Sequence, residues 1–301
     1  MRFINGWVLL GVLVGLSSPV AAGAATGKAA PAKPAATAKV AKLTAAQIVQ
    51  RHLAARGGLR AWQGVRSMVW NGKMELGYGD SAARSQRFVS DALARRGKGS
   101  RAAAAPEGKG EARKQQVQVP FLLEVKRPAK SRVEIVFAGK TAVQVYDGTS
   151  GWLKRPYLNR DDWEPFNPEQ AKEQQGKWEM GGPLIDLAAK DAKVELAGVE
   201  QVDGHDAYKL KVTKKGGDVK HVWVDAKSFL DVKVEGIPRR MDGKMRTVWV
   251  TERDYRPVNG LMVPFMLETA VDGSPDTHKM IVEKVALNPQ LDDALFEKPR
   301  A

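Results

Sequence analysis

The chain has 301 residues, 48 Lys plus Arg against 34 Asp plus Glu, a formal net charge of +14, and no cysteine. The missing thiol excludes a disulfide framework, a Cys-ligated zinc or iron–sulfur site, a thiol nucleophile and an acyl anchor carried on cysteine. With apolar residues at 43%, a sizeable core is within reach.

Arg2 followed by the apolar run Trp7–Leu16, a break at Ser17-Ser18-Pro19 and a small-residue tail reads as a secretory signal over 1–22, cleaved near Ala22–Ala25. The apolar run is short for a membrane span, which argues against the alternative of an uncleaved anchor. The expected product is a soluble periplasmic protein. Residues 23–42 are Ala, Lys, Pro, Thr and Gly with little to bury, and read as an extended linker. A folded domain is expected over 43–301. It opens with a helix: Thr44 and Gln47 form a capping box, Leu43 staples to Ile48, and Ile48, Val49, His52 and Leu53 make an apolar stripe that ends at Gly57-Gly58. A short helical turn through Leu59, Ala61 and Trp62 follows.

From Val65 the hydrophobic period changes to two. Val133, Ile135 and Phe137 alternate with Arg132 and Glu134, and Tyr208, Leu210 and Val212 alternate with Lys209, Lys211 and Thr213. Turn dipeptides recur at Asp147-Gly148, Asp203-Gly204, Gly216-Gly217, Asp242-Gly243, Asn259-Gly260 and Asp272-Gly273. Roughly ten to twelve strands joined mostly by hairpins are expected, an antiparallel meander and not βαβ units. Residues 80–116, rich in Ala, Arg, Lys and Gly, are expected to be a disordered basic insertion between strands near 66–77 and 117–127. Mid-chain, Asn167-Pro168-Glu169-Gln170 predicts a helix running to Trp178, and Gly182-Pro183 predicts a second over Leu184–Ala189. Asn288-Pro289 starts a last short turn through Leu291, Leu295 and Phe296.

The positive charge is concentrated. Residues 23–42 carry four lysines and no acid, and residues 80–116 carry nine bases against four acids, leaving an ordinary balance elsewhere. Basicity confined to two loosely composed segments is not a nucleic-acid-binding face; an anionic membrane surface is the expected partner of the insertion. Of the four histidines, His52, His205, His221 and His278, no two have the short spacing of a helical metal pair. His205 between Asp203 and Asp206 reads as a polar turn before it reads as a metal site. Asp161-Asp162 with Glu164 and Asp292-Asp293 read as a solvated loop and a helix cap. No G-x-S-x-G and no phosphate-cradling glycine pattern occurs. The residues thus support no catalytic function, no metal and no cofactor.

Aromatic residues carry more information. Seven tryptophans, from Trp62 to Trp249, follow the signal. They either fill a core or help line an apolar cavity. Val145-Tyr146-Asp147-Gly148-Thr149-Ser150-Gly151-Trp152, Gly181–Leu187, Val202–Leu210, Val222–Leu230 and the ending from Asn288-Pro289 to Phe296 together resemble the outer-membrane lipoprotein-sorting superfamily, the LolA-like carriers. The resemblance spans about 43–300 apart from the insertion, which, like the linker, is not a feature of the dedicated carrier. It implies a mainly β, curved, unclosed antiparallel half-barrel covered by helices over an apolar cavity. It also implies a role in carrying or binding lipid or acylated, lipoprotein-like ligands, with an envelope protein as a further partner. An envelope regulatory module sensing a protein or lipid partner with the same fold stays open as the alternative.

On this reading the ligand-binding face comprises the strand residues Phe121, Leu123, Val133, Ile135, Phe137, Val145, Trp223 and Trp249. Trp178, Leu184, Ile185 and Leu187 of the mid-chain helices cover it. A large sheet with one apolar face and so little helix to cover it is expected to leave an unfilled or ligand-filled volume.

Overall fold

In a computed structural model, residues 42–298 are described, with the exception of 77–116, 138, 159, 175–176, 242 and 276. The expected signal peptide, most of the linker and the basic insertion lie outside the described residues.

The first helix, α1 (Ala45–Ala55), begins where the capping box places it. The Gln47 amide donates to Thr44 Oγ1 at 3.2 Å, and the Thr44 amide donates to Gln47 Oε1 at 2.9 Å. A five-residue helix α2 (Leu59–Gln63) follows. Strands β1 (Ser67–Leu76), β2 (Val117–Lys126), β3 (Lys130–Phe137), β4 (Lys140–Tyr146), β5 (Gly151–Arg155) and β6 (Arg160–Pro165) then form successive antiparallel pairs. After helix α3 (Pro168–Gln174) come β7 (Ala192–Val202), β8 (His205–Lys214), β9 (Val219–Asp225), β10 (Asp231–Glu235), β13 (Val248–Val258), β14 (Leu261–Val271) and β15 (Thr277–Leu287). The small hairpin β11 (Arg239–Met241) and β12 (Lys244–Arg246) stands apart. The two-residue loops Asp203-Gly204 and Asn259-Gly260 have positive φ at both positions (51° and 79°, 46° and 82°), the primed hairpin turn that Asn/Asp-Gly favours.

Among the described residues, thirteen strands make one antiparallel sheet in the order β6-β5-β4-β3-β2-β1-β15-β14-β13-β10-β9-β8-β7. The strands β6 and β7 are unpaired edges, so the sheet is unclosed, as the resemblance implies. The chain builds outward from β1 to β6, crosses to the far edge, and builds back from β7 to β15, which pairs with β1. A simple meander would not need that crossing. Residues 166–191 must therefore pass from one edge of the sheet to the other, and they do so over its inner face.

Two apolar clusters fill that face. The first combines Met68 and Met74 of β1, Val119, Phe121, Leu123 and Val125 of β2, Val133 and Ile135 of β3 and inward residues of β14 and β15 with Trp62 of α2. The second packs Ile48 and Val49 of α1 against Tyr208, Leu210 and Val212 of β8 and Val222 and Val224 of β9. The crossing segment joins them, with Leu184 in the second cluster and its neighbour Ile185 in the first.

Two helix expectations are corrected. The described part of α3 ends at Gln174, and Lys177 and Trp178 lie in a turn. Residues 184–191 form consecutive turns and no helix. Gly181 and Gly182 have φ of 81° and 88°, and Asp186 is left-handed at 56°, which interrupts a right-handed helix at the residue after Ile185.

Candidate functional site

Antiparallel register decides which side chains share a face. Leu123 stands opposite Val133, Phe121 opposite Ile135, and Met74 opposite Val119 and Met280. These point inward. Phe137, two residues on from Ile135, is partly buried against the same cluster, its ring 5.8 Å from that of Tyr157. Trp178 and Ile185 pack onto this cluster from the crossing segment, and Leu184 and Leu187 onto the other. Nine of the twelve residues expected at the ligand face are thus found on the inner face or on the segment over it.

Three are not. Val145 pairs with Arg132, while Val133 of the same strand pairs with Gln144. Val145 therefore faces outward, where the C-terminal turn Asp293–Phe296 packs on β3 and β4. Trp223 stands between Val222 and Val224, both inward, so it points outward too. There Lys233 Nζ lies 4.7 Å from the Trp223 ring centroid and 4.9 Å from that of Trp249, and Trp223 Nε1 donates to Glu200 Oε2 at 2.7 Å. A lysine between two indoles is a cation–π arrangement on the outer face, where polar neighbours surround both rings. Composition marks such tryptophans as apolar; only the register shows which side they take.

Between β1–β4, β15 and the crossing segment lies a cavity of about 10 Å³, lined by Met74, Leu123, Val133, Ile135, Gln144, Lys177, Trp178 and Met280. That is about room for one water. Lys177 is the charged member. Burial, with Arg239 nearby, pushes its pKa down to about 8, partly countered by Glu173. Glu173 is itself pushed up by burial. The indole Nε1 of Trp178 is buried without a hydrogen-bond partner.

The crossing segment is pinned by ions at its far end. Glu179 Oε1 lies 2.9 Å from Lys190 Nζ and 3.5 Å from Lys214 Nζ of β8. Lys190 Nζ also donates to the Gly182 carbonyl at 2.9 Å, and Gln63 donates to Asp186 Oδ1 at 3.2 Å.

A polar cluster that sequence reasoning did not single out separates the two apolar clusters. Arg56, buried at the end of α1, pairs with Asp231 of β10, and its Nε donates to the Met262 carbonyl at 3.0 Å. Its guanidinium lies 5.0 Å from the Trp62 ring and 5.4 Å from that of Tyr255. The Trp62 indole and the Met262 amide both donate to the Arg56 carbonyl, at 2.9 and 3.2 Å. His52 Nδ1 sits 3.0 Å from the Phe229 carbonyl, which makes that nitrogen the donor and leaves Nε2 3.7 Å from Asp231. Burial holds His52 below its usual pKa. Tyr255 donates to Glu252 at 2.6 Å, and burial followed by the Asp231 charge pushes Glu252 up to about 7. The cluster ties α1 to β10 and β14 and so fixes the helix over the sheet. Among the described residues, no group of three or more His, Asp or Glu side chains is placed to hold a metal ion, and no helix is long and apolar enough to cross a membrane.

No protein-family model matches the chain, and no curated protein matches it. Similar solved structures include a LolA superfamily protein from Nitrosomonas europaea, at 16% identity and a TM-score of 0.48, covering 85% of this chain and 98% of that one. A DUF1329 family protein from Desulfovibrio piger is similar at 12% identity and a TM-score of 0.48, covering 84% and 97%. A domain assigned to outer-membrane lipoprotein sorting, from Vibrio parahaemolyticus, is similar at 11% identity and a TM-score of 0.45, covering 82% and 93%. The described residues form one large unclosed antiparallel sheet with few helices, with α1, α2 and the crossing segment on its inner face and the C-terminal turn Asp293–Phe296 against β3 and β4.

Proposed function

We propose that the chain is a periplasmic carrier or binding protein that takes an acyl chain, of a lipid or of a lipoprotein-like ligand, between the inner face of the sheet and the crossing segment. One observation carries this reading. The apolar wall formed by β1–β4, β14 and β15 is covered near its centre by a run of turns, not by a regular helix, and a small cavity remains beneath it. Turns have few backbone hydrogen bonds of their own to lose, so the cost of lifting the segment is set mainly by Leu184, Ile185 and Trp178, at about 2–3 kcal/mol of burial each, together with the Glu179 ion pairs. An acyl chain gives back about 0.8 kcal/mol per buried methylene, so a chain of sixteen to eighteen carbons, at about 13–14 kcal/mol, exceeds that cost.

Replacing Ile185 by Glu tests this by placing a charge against the wall. Titration with a fluorescent fatty acid or an acylated peptide is expected to show micromolar binding by delipidated parent protein, about 1 μM to 100 μM, and loss in the variant with its far-UV spectrum intact. No binding by the parent would refute the proposal. The second reading, an interaction module, is favoured by the apolar residues exposed along the β7 edge, Leu196 at 40% and Val199 at 46%. It predicts partner capture that survives the Ile185→Glu change.

A further inference from the structure

We infer that one end of the sheet docks on an anionic membrane surface, entering the headgroup layer through Val136, Leu158, Val219 and Met245.

The antiparallel order gives the sheet two ends. At one of them β1 stops at Leu76 and β2 begins at Val117. The same end holds the β3–β4, β5–β6, β8–β9 and β14–β15 connections and the β11–β12 hairpin. Six large apolar side chains are exposed among the described residues, and four of them stand here. Val136 is near the end of β3, Leu158 in the short 3-10 helix Pro156–Leu158 between β5 and β6, Val219 at the start of β9, and Met245 in β12. The other two, Leu196 and Val199, lie mid-strand in β7. Apolar side chains exposed singly need no explanation, but four at one end and none at the other describe a face. They come from elements spread from β5 to β9, so a partner that meets them together is as broad as the sheet.

Charge names the partner. In the hairpin Met245 pairs across with Arg240 and so shares its face, beside exposed Lys244. Residues 239–246 hold four bases and one acid, Asp242. Residues 80–116, with nine bases against four acids, join the body at this end through Leu76 and Val117. Asp272 and Asp276 of the β14–β15 connection do not offset that excess. An acidic protein would answer the charge but not apolar side chains spread across the sheet. An anionic lipid surface answers both, because its phosphates attract the bases while short apolar side chains reach the acyl boundary. The cavity lies toward the same end. Met74 is two residues from the end of β1, Ile135 two from the end of β3 and Met280 three from the start of β15. Docking stands independently of the carrier reading, and would bring the proposed acyl site close to a bilayer.

The chain has no cysteine, so single cysteines can be introduced and labelled with an environment-sensitive fluorophore. Met245→Cys, Leu158→Cys and Val219→Cys report on this end, and Val199→Cys on the β7 edge. The soluble protein, with residues 77–116 kept, would be mixed with vesicles of phosphatidylcholine alone or with added phosphatidylglycerol. Binding is expected to be about tenfold or more tighter to the anionic vesicles and to weaken with salt. The labels at 245, 158 and 219 should shift to the blue and the label at 199 should not. Met245→Asp should weaken binding about tenfold. Vesicle binding with all three labels still in water would overturn the proposal and assign the attachment to charge elsewhere. Absence of binding to anionic vesicles would overturn it in favour of a protein partner for this end. Neither result touches acyl binding in solution, which tests the carrier reading separately.

Discussion

Asp231 and Arg56 show what a single residue contributes to this fold. Each is buried, and Arg56 is held from four sides by Asp231, the Met262 carbonyl and two aromatic rings. Removing one member of such a pair strands the other charge, which costs about 3–5 kcal/mol. Asp231→Asn is therefore expected to lower unfolding free energy by about that much in urea titrations; a loss under about 1 kcal/mol would show that the pair is dispensable. The neighbouring Glu252 makes the region pH-sensitive. Its folded pKa of about 7 exceeds its ordinary 4.5, so the folded state holds that proton more tightly and the group's contribution to stability falls as pH rises from about 4.5 to about 7. His52, held below 6.5, acts oppositely, losing stability as pH drops, with Asp231, Arg56 and Tyr255 facing the pair. The difference between parent and Glu252→Gln isolates the carboxylate: the variant should gain stability relative to the parent across that window, and a constant difference would contradict the assignment. Arg56 was legible in part. The stripe Ile48, His52 continues at the same spacing to Arg56, so the helix face already points a guanidinium into the core; its partner 175 residues on was not legible.

At the scale of elements, local chemistry read well wherever a turn or cap decides the backbone alone. Thr44 with Gln47, Asn167 with Gln170 and the Asp203-Gly204 and Asn259-Gly260 hairpins form as their residue types require. Reading failed where position depends on pairing. The alternation around Val145, Trp223 and Trp249 is visible in sequence, but the side it faces follows from register, and the β10 bulge between Asp231 and Lys233 shifts it again. The supposed helix at 184–189 failed for another reason. Its composition suits a helix, yet the segment sends Leu184 and Ile185 to two different clusters, and a left-handed Asp186 directly after them breaks a right-handed helix. The ion pairs at Glu179 then hold the segment down. Glu179→Gln should cost only about 1 kcal/mol globally, since the lysines are partly exposed, and should raise hydrogen exchange selectively at 178–191. Unchanged exchange there would mean that Ile185 and Trp178 alone secure the segment.

For the molecule as a whole, the topology produces the covering segment. A sheet that builds out to β6 and resumes at the opposite edge, β7, requires a connection across one face, and the apolar clusters place it on the inner one. The resulting body has an inner face with two apolar clusters crossed by a run of turns, and an outer face carrying Lys209, Lys233, Trp223 and Glu200 in polar contact. The proposed carrier function requires ligand on the first face and not on the second. A fatty acid carrying a photoreactive diazirine near its tail, cross-linked to the delipidated protein and mapped by mass spectrometry, separates the two directly. Adducts are predicted on Leu123, Ile135, Trp178 or Met280; adducts confined to the outer face around Trp223 and Trp249 would contradict the account.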